Sequence, residues 1–258
     1  LFSDNPFKIP SLPSITSEHI SGDAEVKRLG QKVIEKKAIP LDGPVSGGCH
    51  RAATGNIAIF VGGEREAFNK ILPALAVMGR KILHTGDLGS ASVLKVITNM
   101  LAFANLIGAI EGLMLAKKAG LDLENFFDAI RVSAGNSFAW ETVVPHIFNQ
   151  KYESGFTMDL ACKDMNLSYL LGQDLKVPLD LHMEVKKKME KARKQYGDDK
   201  GCYVYPRILE DELDETLSLK GWDNWGYDIK VLDGSIVVKH KNRPKSKHPQ
   251  YNSVSDVD

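Results

Sequence analysis

Cysteine is scarce in this chain: Cys49, Cys162 and Cys202 are the only three in 258 residues. They form no CxxC pair and no even framework, which argues against a disulfide scaffold or a structural zinc site and suits a reducing compartment, cytoplasmic or mitochondrial matrix. Net charge is absent too, since 33 basic and 33 acidic side chains cancel. No global field therefore draws the protein to nucleic acid or to a membrane. No strand–GxGxxG–helix unit occurs; Gly47-Gly48 and Gly62-Gly63 have the wrong spacing for a dinucleotide fingerprint. The first residues, LFSDNPFKIPSLPS, lack an initiator methionine, a signal-peptide core and an Arg-rich amphipathic segment. The expectation is a fragment or processed product.

What the chain does have is a long apolar run. Val96 to Ala116 carries a single charge, Glu111. It is long enough to span a bilayer, but Asn99, Asn105 and Glu111 lie inside it and no second such segment exists, so a buried core helix is expected instead. Lys95 and Asn99 stand i, i+4 near its start, on one face and one turn apart. Two readings stay open. A buried lysine loses proton affinity and serves as an acid or base near neutrality; a lysine flanking a buried helix simply snorkels to water.

Upstream, the pattern alternates between helix and strand. Val26, Leu29, Val33 and Ile34 have helical spacing after Asp23, a candidate cap, so 24–37 is predicted helical. Ala38 to Leu41 is a strand-like step into Asp42-Gly-Pro-Val-Ser-Gly-Gly48. Ile57 to Val61 reads as a buried strand, 64–78 as a helix kinked or ended by Pro73, and Lys81 to Thr85 as a further strand. From Gly86 to about Tyr196 only helices are expected, with breaks at Gly120, Gly135-Asn136, Gly155 and Pro178. The predicted fold class is α/β plus all-α: residues 1–85 an incomplete dinucleotide-binding and substrate domain, and 86–205 a helical catalytic and dimerisation domain on one long central helix. Residues 206–258, acidic and then basic, are expected to be a partly disordered tail.

Three further segments bear chemistry. Ser46-Gly47-Gly48 can turn backbone N–H groups and a hydroxyl towards an anion such as a carboxylate, or it can be only a tight turn. Lys163-Asp164 on a helix reads, taken alone, as a solvated surface pair. Trp140, Glu141 and His146 are candidates to line a cleft, and Cys49 reads as packing.

Taken together, these blocks resemble the β-hydroxyacid dehydrogenase family, which includes 3-hydroxyisobutyrate, tartronate-semialdehyde and 6-phosphogluconate dehydrogenases. Asp42 to Gly48, continuing through Ala52 and Gly55 to Gly62-Gly63, is similar to the substrate-binding DxPVSGGxxxAxxG block. Gly89-x-Ala91-x-x-x-Lys95-x-x-x-Asn99 is similar to the catalytic GxGxxxKxxxN block, and Lys163-Asp164 to the KD block. The resemblance implies an NAD- or NADP-dependent oxidoreductase acting on a small 3-hydroxy acid and assembled as a homodimer or homotetramer. Lys95 would be the general acid/base, Ser46, Gly47, Gly48 and Asn99 would bind substrate, and Lys163 would lie on the cofactor side, with no metal. Ala91 departs from the family glycine and is expected to crowd the helix start. The family's serine-threonine step falls near Glu18-His19, and the half that holds adenosine and pyrophosphate is missing. The alternatives are a non-catalytic relative or fragment acting as an interaction module, and an imine reductase, against which Lys95 argues.

Overall fold

The computed structural model describes residues 23–232 and 235–244. The expectations for residues 1–20, the step near Glu18-His19, the cap at the Asp23 side chain and the end of the tail lie outside these residues.

After helix α1 (Asp23–Glu35), the chain enters a small mixed sheet. Strands β1 (Leu41–Asp42) and β2 (Val45–Ser46) pair antiparallel with β3 (Ala58–Gly63) in one continuous register, from Leu41 opposite Gly63 to Ser46 opposite Ala58. They are one edge interrupted at Gly43-Pro44, where Pro44 O still accepts from Phe60 N at 3.0 Å. The short helix α2 (Gly48–Ala53) follows. Every residue of β3 is buried, as its β-branched run predicts. Helix α3 (Arg65–Met78) then returns the chain to β4 (Lys81–Gly86), parallel to β3. Pro73 sits inside α3 without ending it.

Five helices follow, α4 (Ser90–Lys118), α5 (Leu123–Arg131), α6 (Phe138–Phe148), α7 (Met158–Asp174) and α8 (Asp180–Tyr196). Their breaks fall where the glycines and Pro178 place them. Helix α4, about 43 Å long at the standard rise, packs against β3 and β4 at its start and against α5 to α8 further on. It departs from expectation in being only partly buried: 28% of its most apolar window is covered, and Leu101 and Leu115 are 54% and 72% exposed.

The largest difference from expectation lies after 205. Residues 206–244, expected as tail, carry α9 (Pro206–Leu213) and an antiparallel pair, β5 (Gly226–Leu232) and β6 (Ser235–Lys241). The physical reason is aromatic. Phe127, wholly buried, stacks on Trp140 at 5.9 Å and meets Phe148, Trp222 and His240 edge-on. Arg131 and Arg243 lie over its ring at 5.8 and 5.5 Å. Trp140 and Glu141 are therefore structural rather than cleft residues: Trp140 Nε1 donates to Phe127 O, and Glu141 accepts from Arg131 Nε and Asn136 Nδ2.

His146 packs between Tyr203 and Trp225, its Nδ1 buried without a partner. Burial, with Lys151 and His50 nearby, pushes it from 6.5 down to about 4. The unfolded chain therefore takes a proton near pH 6.5 that the folded one refuses. His146's contribution is intact above 6.5 and is lost as pH falls towards 4, amounting to about 3 kcal/mol. Urea unfolding across that window should show the loss, and His146→Phe should flatten the slope. Burial also lowers His240, so a residual slope remains. An unchanged slope in the variant would contradict this.

Candidate active site

Conformation and space fix the Ser46-Gly47-Gly48 turn. Gly47 has φ 134° and Gly48 φ 67°, backbone that L side chains rarely adopt. A Cβ on Gly47 would meet Arg51 Cδ at 2.6 Å. Ser46 is partly buried at the end of the sheet edge, and Cys49 Sγ donates to Gly155 O at 3.4 Å. The six-residue helix after the turn is an element the glycine pattern does not announce.

The same edge anchors α4. Asp42, 8% exposed, accepts from Gly89 N and Ser92 N, each at 2.8 Å, and from Ser92 Oγ at 2.9 Å. Its carboxylate thus caps the first turn of α4 from four residues ahead of Ser46, satisfying N–H groups that a helix start leaves open. Gly62 keeps the space clear, since a Cβ there would lie 2.3 Å from Asp42 Oδ1. Ala91 does not crowd an approach: it is wholly buried against Ala58, Phe60 and Leu94, where its methyl fills the helix–sheet contact.

One turn into α4, Lys95 Nζ donates to Asn99 Oδ1 at 2.8 Å, and Asn99 Nδ2 donates to Asp164 Oδ2 at 2.6 Å. Asp164 is 3% exposed on α7. Ser168 Oγ bonds both Asp164 O and Val96 O, riveting α7 to α4. The amide of Asn99 is held at both ends, so its orientation is set by chemistry: the NH₂ must face the carboxylate. Burial lowers the proton affinity of Lys95, opposed by the Asp164 charge. Burial likewise raises Asp164, opposed by the Asn99 hydrogen bond and then by Lys163 and Lys95. Such an array holds a lysine that exchanges its proton more readily than a surface lysine does.

The structure joins Lys95 and Asn99, while Lys163 stands partly buried beside Asp164 on α7. Sequence reasoning gave Asp42 no role of its own and read Asp164 as half of a solvated surface pair, whereas Asp164 is buried and accepts from Asn99. For Asp164 a signal existed: Ala161, Asp164, Met165 and Ser168 share the buried face of α7, and a carboxylate on such a face requires partners. Among the described residues no group of three or more His, Cys, Asp or Glu could hold a metal ion.

Residues 20–86 match the model described as the NAD binding domain of 6-phosphogluconate dehydrogenase. Residues 89–205 match the model for the NAD-binding of NADP-dependent 3-hydroxyisobutyrate dehydrogenase. A 2-(hydroxymethyl)glutarate dehydrogenase of Eubacterium barkeri is 38% identical over 152 residues, covering 58% of this chain and 50% of that protein. The mitochondrial 3-hydroxyisobutyrate dehydrogenase of Drosophila melanogaster is 34% identical, covering 65% of this chain and 53% of that one. Among solved structures, the Mycobacterium tuberculosis 3-hydroxyisobutyrate dehydrogenase with L-serine superposes with a TM-score of 0.68 at 26% identity, covering 73% of this chain and 67% of that one. The chain spans about half the length of the curated relatives it matches. With two adjoining family models running through the sheet edge, the Lys95 helix and the Asp164 helix, the chain belongs to the β-hydroxyacid dehydrogenase family.

Proposed function

We propose that this chain carries the substrate-binding and proton-transfer part of an NAD(P)-dependent oxidoreductase that acts on a small 3-hydroxy acid. The observation that carries the reading is the Lys95–Asn99–Asp164 array, with its half-buried lysine of lowered proton affinity. Hydroxyl oxidation needs a base for the hydroxyl proton and a separate acceptor for the hydride. The array supplies the first, and no side chain of this set supplies the second, so a nicotinamide cofactor fits. When bound, it supplies the hydride acceptor. Lys163 is the residue of this chain that would face it.

Ser46, Gly47 and Gly48 hold the substrate carboxylate through backbone N–H groups and the serine hydroxyl. Asn99 orients the substrate hydroxyl towards Lys95 Nζ. Neutral Lys95 accepts that proton as the carbonyl forms and, as the ammonium, returns it in the reverse direction. Asp164 is a positioning residue: it fixes the Asn99 amide and supports the Lys95 charge from behind. The relatives named for 2-(hydroxymethyl)glutarate, L-threonate and 3-hydroxyisobutyrate each name a hydroxyl-bearing carboxylic acid, which supports the substrate class.

A screen of 3-hydroxy acids with NAD⁺ and NADP⁺ tests this. Cofactor reduction dependent on the hydroxy acid is expected; none from a folded sample would favour the interaction module. Oxidation should rise with pH through the lowered Lys95 pKa, below 10.5. Asp164→Asn removes the charge that raises Lys95, so the rising limb should move to lower pH. A limb that stays in place would contradict that role.

The homodimer or homotetramer belongs to the same reading. Ile97, Leu101 and Leu115 on one stripe of α4 are apolar and exposed, the composition of a face covered by another copy. Sedimentation should give a dimer or tetramer mass.

A further inference from the structure

Helix α2 is too short to hold itself together, since six residues fall below the length at which a helix is stable alone. Cys49, Ala52 and Ala53 are exposed, so little of it is buried beneath the sheet. What keeps it, and the Gly47-Gly48 turn leading into it, in place is side-chain contact. The Arg51 stem lies against Gly47, and Arg51 Nε donates to Asn56 O at 2.9 Å. Two further contacts come from later in the chain: Cys49 Sγ donates to Gly155 O, and the Tyr227 ring lies 4.3 Å from the His50 ring, centroid to centroid, close enough to Arg51 for the two to perturb each other electrostatically.

Tyr227 stands on β5, and the β5–β6 hairpin is bolted to the helical portion. Trp225 stacks on Tyr227 at 5.4 Å. Trp225 Nε1 donates to His240 Nδ1 at 3.0 Å, so in neutral His240 the proton sits on Nε2, which donates to Glu141 Oε2 at 2.7 Å. Arg243 grips Asp128 with two bonds, of 2.6 and 2.5 Å. Beyond the His50–Tyr227 contact the two elements part, leaving a cleft of about 310 Å³ lined by His50, Thr54, Asn56, Asp228 and Lys230 among others. The hairpin thus bears on α2 chiefly through one ring. It also lies outside residues 20–205, the stretch the family models match.

We propose that the β5–β6 hairpin is a strap that fixes the Ser46–Gly48 turn from outside the family unit, with Tyr227 as its positioning residue. This rests on the reading of that turn as the carboxylate site. The strap ties the turn to α5 and α6 by way of Tyr227, Trp225 and His240, so the turn keeps its geometry without substrate. Its function is to lower the ordering cost of binding the hydroxy acid, leaving the proton transfer at Lys95 unchanged.

Hydrogen exchange and kinetics on the full chain, with Tyr227→Ala and Tyr227→Phe, test it. In Tyr227→Ala, amides of residues 48–56 should exchange about tenfold faster while those of 96–116 hold their rates. The KM for the hydroxy acid should rise about tenfold, with kcat within about twofold. Tyr227→Phe keeps the ring and should restore both. Unchanged exchange at 48–56 in Tyr227→Ala would overturn the strap, as would equal acceleration along 96–116, which marks general loosening. Exchange needs no turnover: a response at 48–56 in a chain that oxidises no hydroxy acid would uphold the strap and remove the dehydrogenase reading.

Discussion

Lys95→Met lowers hydroxy-acid turnover by roughly 10²–10⁴-fold, the range of a positioned general acid/base. The methionine keeps the apolar stem on α4 and frees only Asn99 Oδ1, which accepts from water instead, so the melting temperature should stay within about 3 °C of the parent. Lys95→Arg is the sharper comparison. It preserves the charge beside Asn99 and Asp164 but cannot give up a proton at any working pH, so it should be as inactive as Lys95→Met. An active arginine variant would reduce Lys95 to electrostatic support. A methionine variant within a few-fold of the parent would remove its proton-transfer role altogether.

Trp222→Ala should destabilise the chain by about 3–5 kcal/mol, the usual cost of emptying a buried aromatic site. Trp222 is fully buried, edge-on to Phe148 at 4.9 Å and Phe127 at 5.7 Å. Its Nε1 donates to Glu124 Oε1 at 3.2 Å, so truncation strands a carboxylate that is itself 9% exposed. A drop of roughly 10 °C in melting temperature is expected. A loss below about 1 kcal/mol in denaturant titration would show that residues after 205 are an appendage rather than core.

The elements legible in the sequence are those whose pattern has one physical cause. The length and β-branched content of Ile57 to Val61 favour a buried strand over a helix, and Gly120, Gly155 and Pro178 punctuate the helices where the backbone demands it. Lys95 and Asn99 were legible because i, i+4 spacing alone brings them together. The partners of Asp42 and Asp164 were not, because they lie 47 and 65 residues away, at Gly89 and Asn99. The hairpin was obscured differently. Tyr227, Ile229 and Val231, then Ile236 and Val238, alternate about Asp233-Gly234, a strong hairpin signal. The charges of Lys230, Lys239 and Lys241 lower the mean hydropathy to that of a solvated tail. Helix α4 misled in the opposite sense: a helix apolar on every side is buried only where something covers it, and Leu101 and Leu115 face outward.

Direct titration of Lys95 in the folded chain, by NMR of isotope-labelled lysine Cε with Lys95→Met to assign the resonance, tests the account at its centre. Burial beside Asn99 and Asp164 predicts a midpoint below the 10.5 of ordinary lysines, moving lower still in Asp164→Asn. A midpoint at or above 10.5, indifferent to Asp164, would contradict the half-buried proton-transfer lysine on which the proposed function stands.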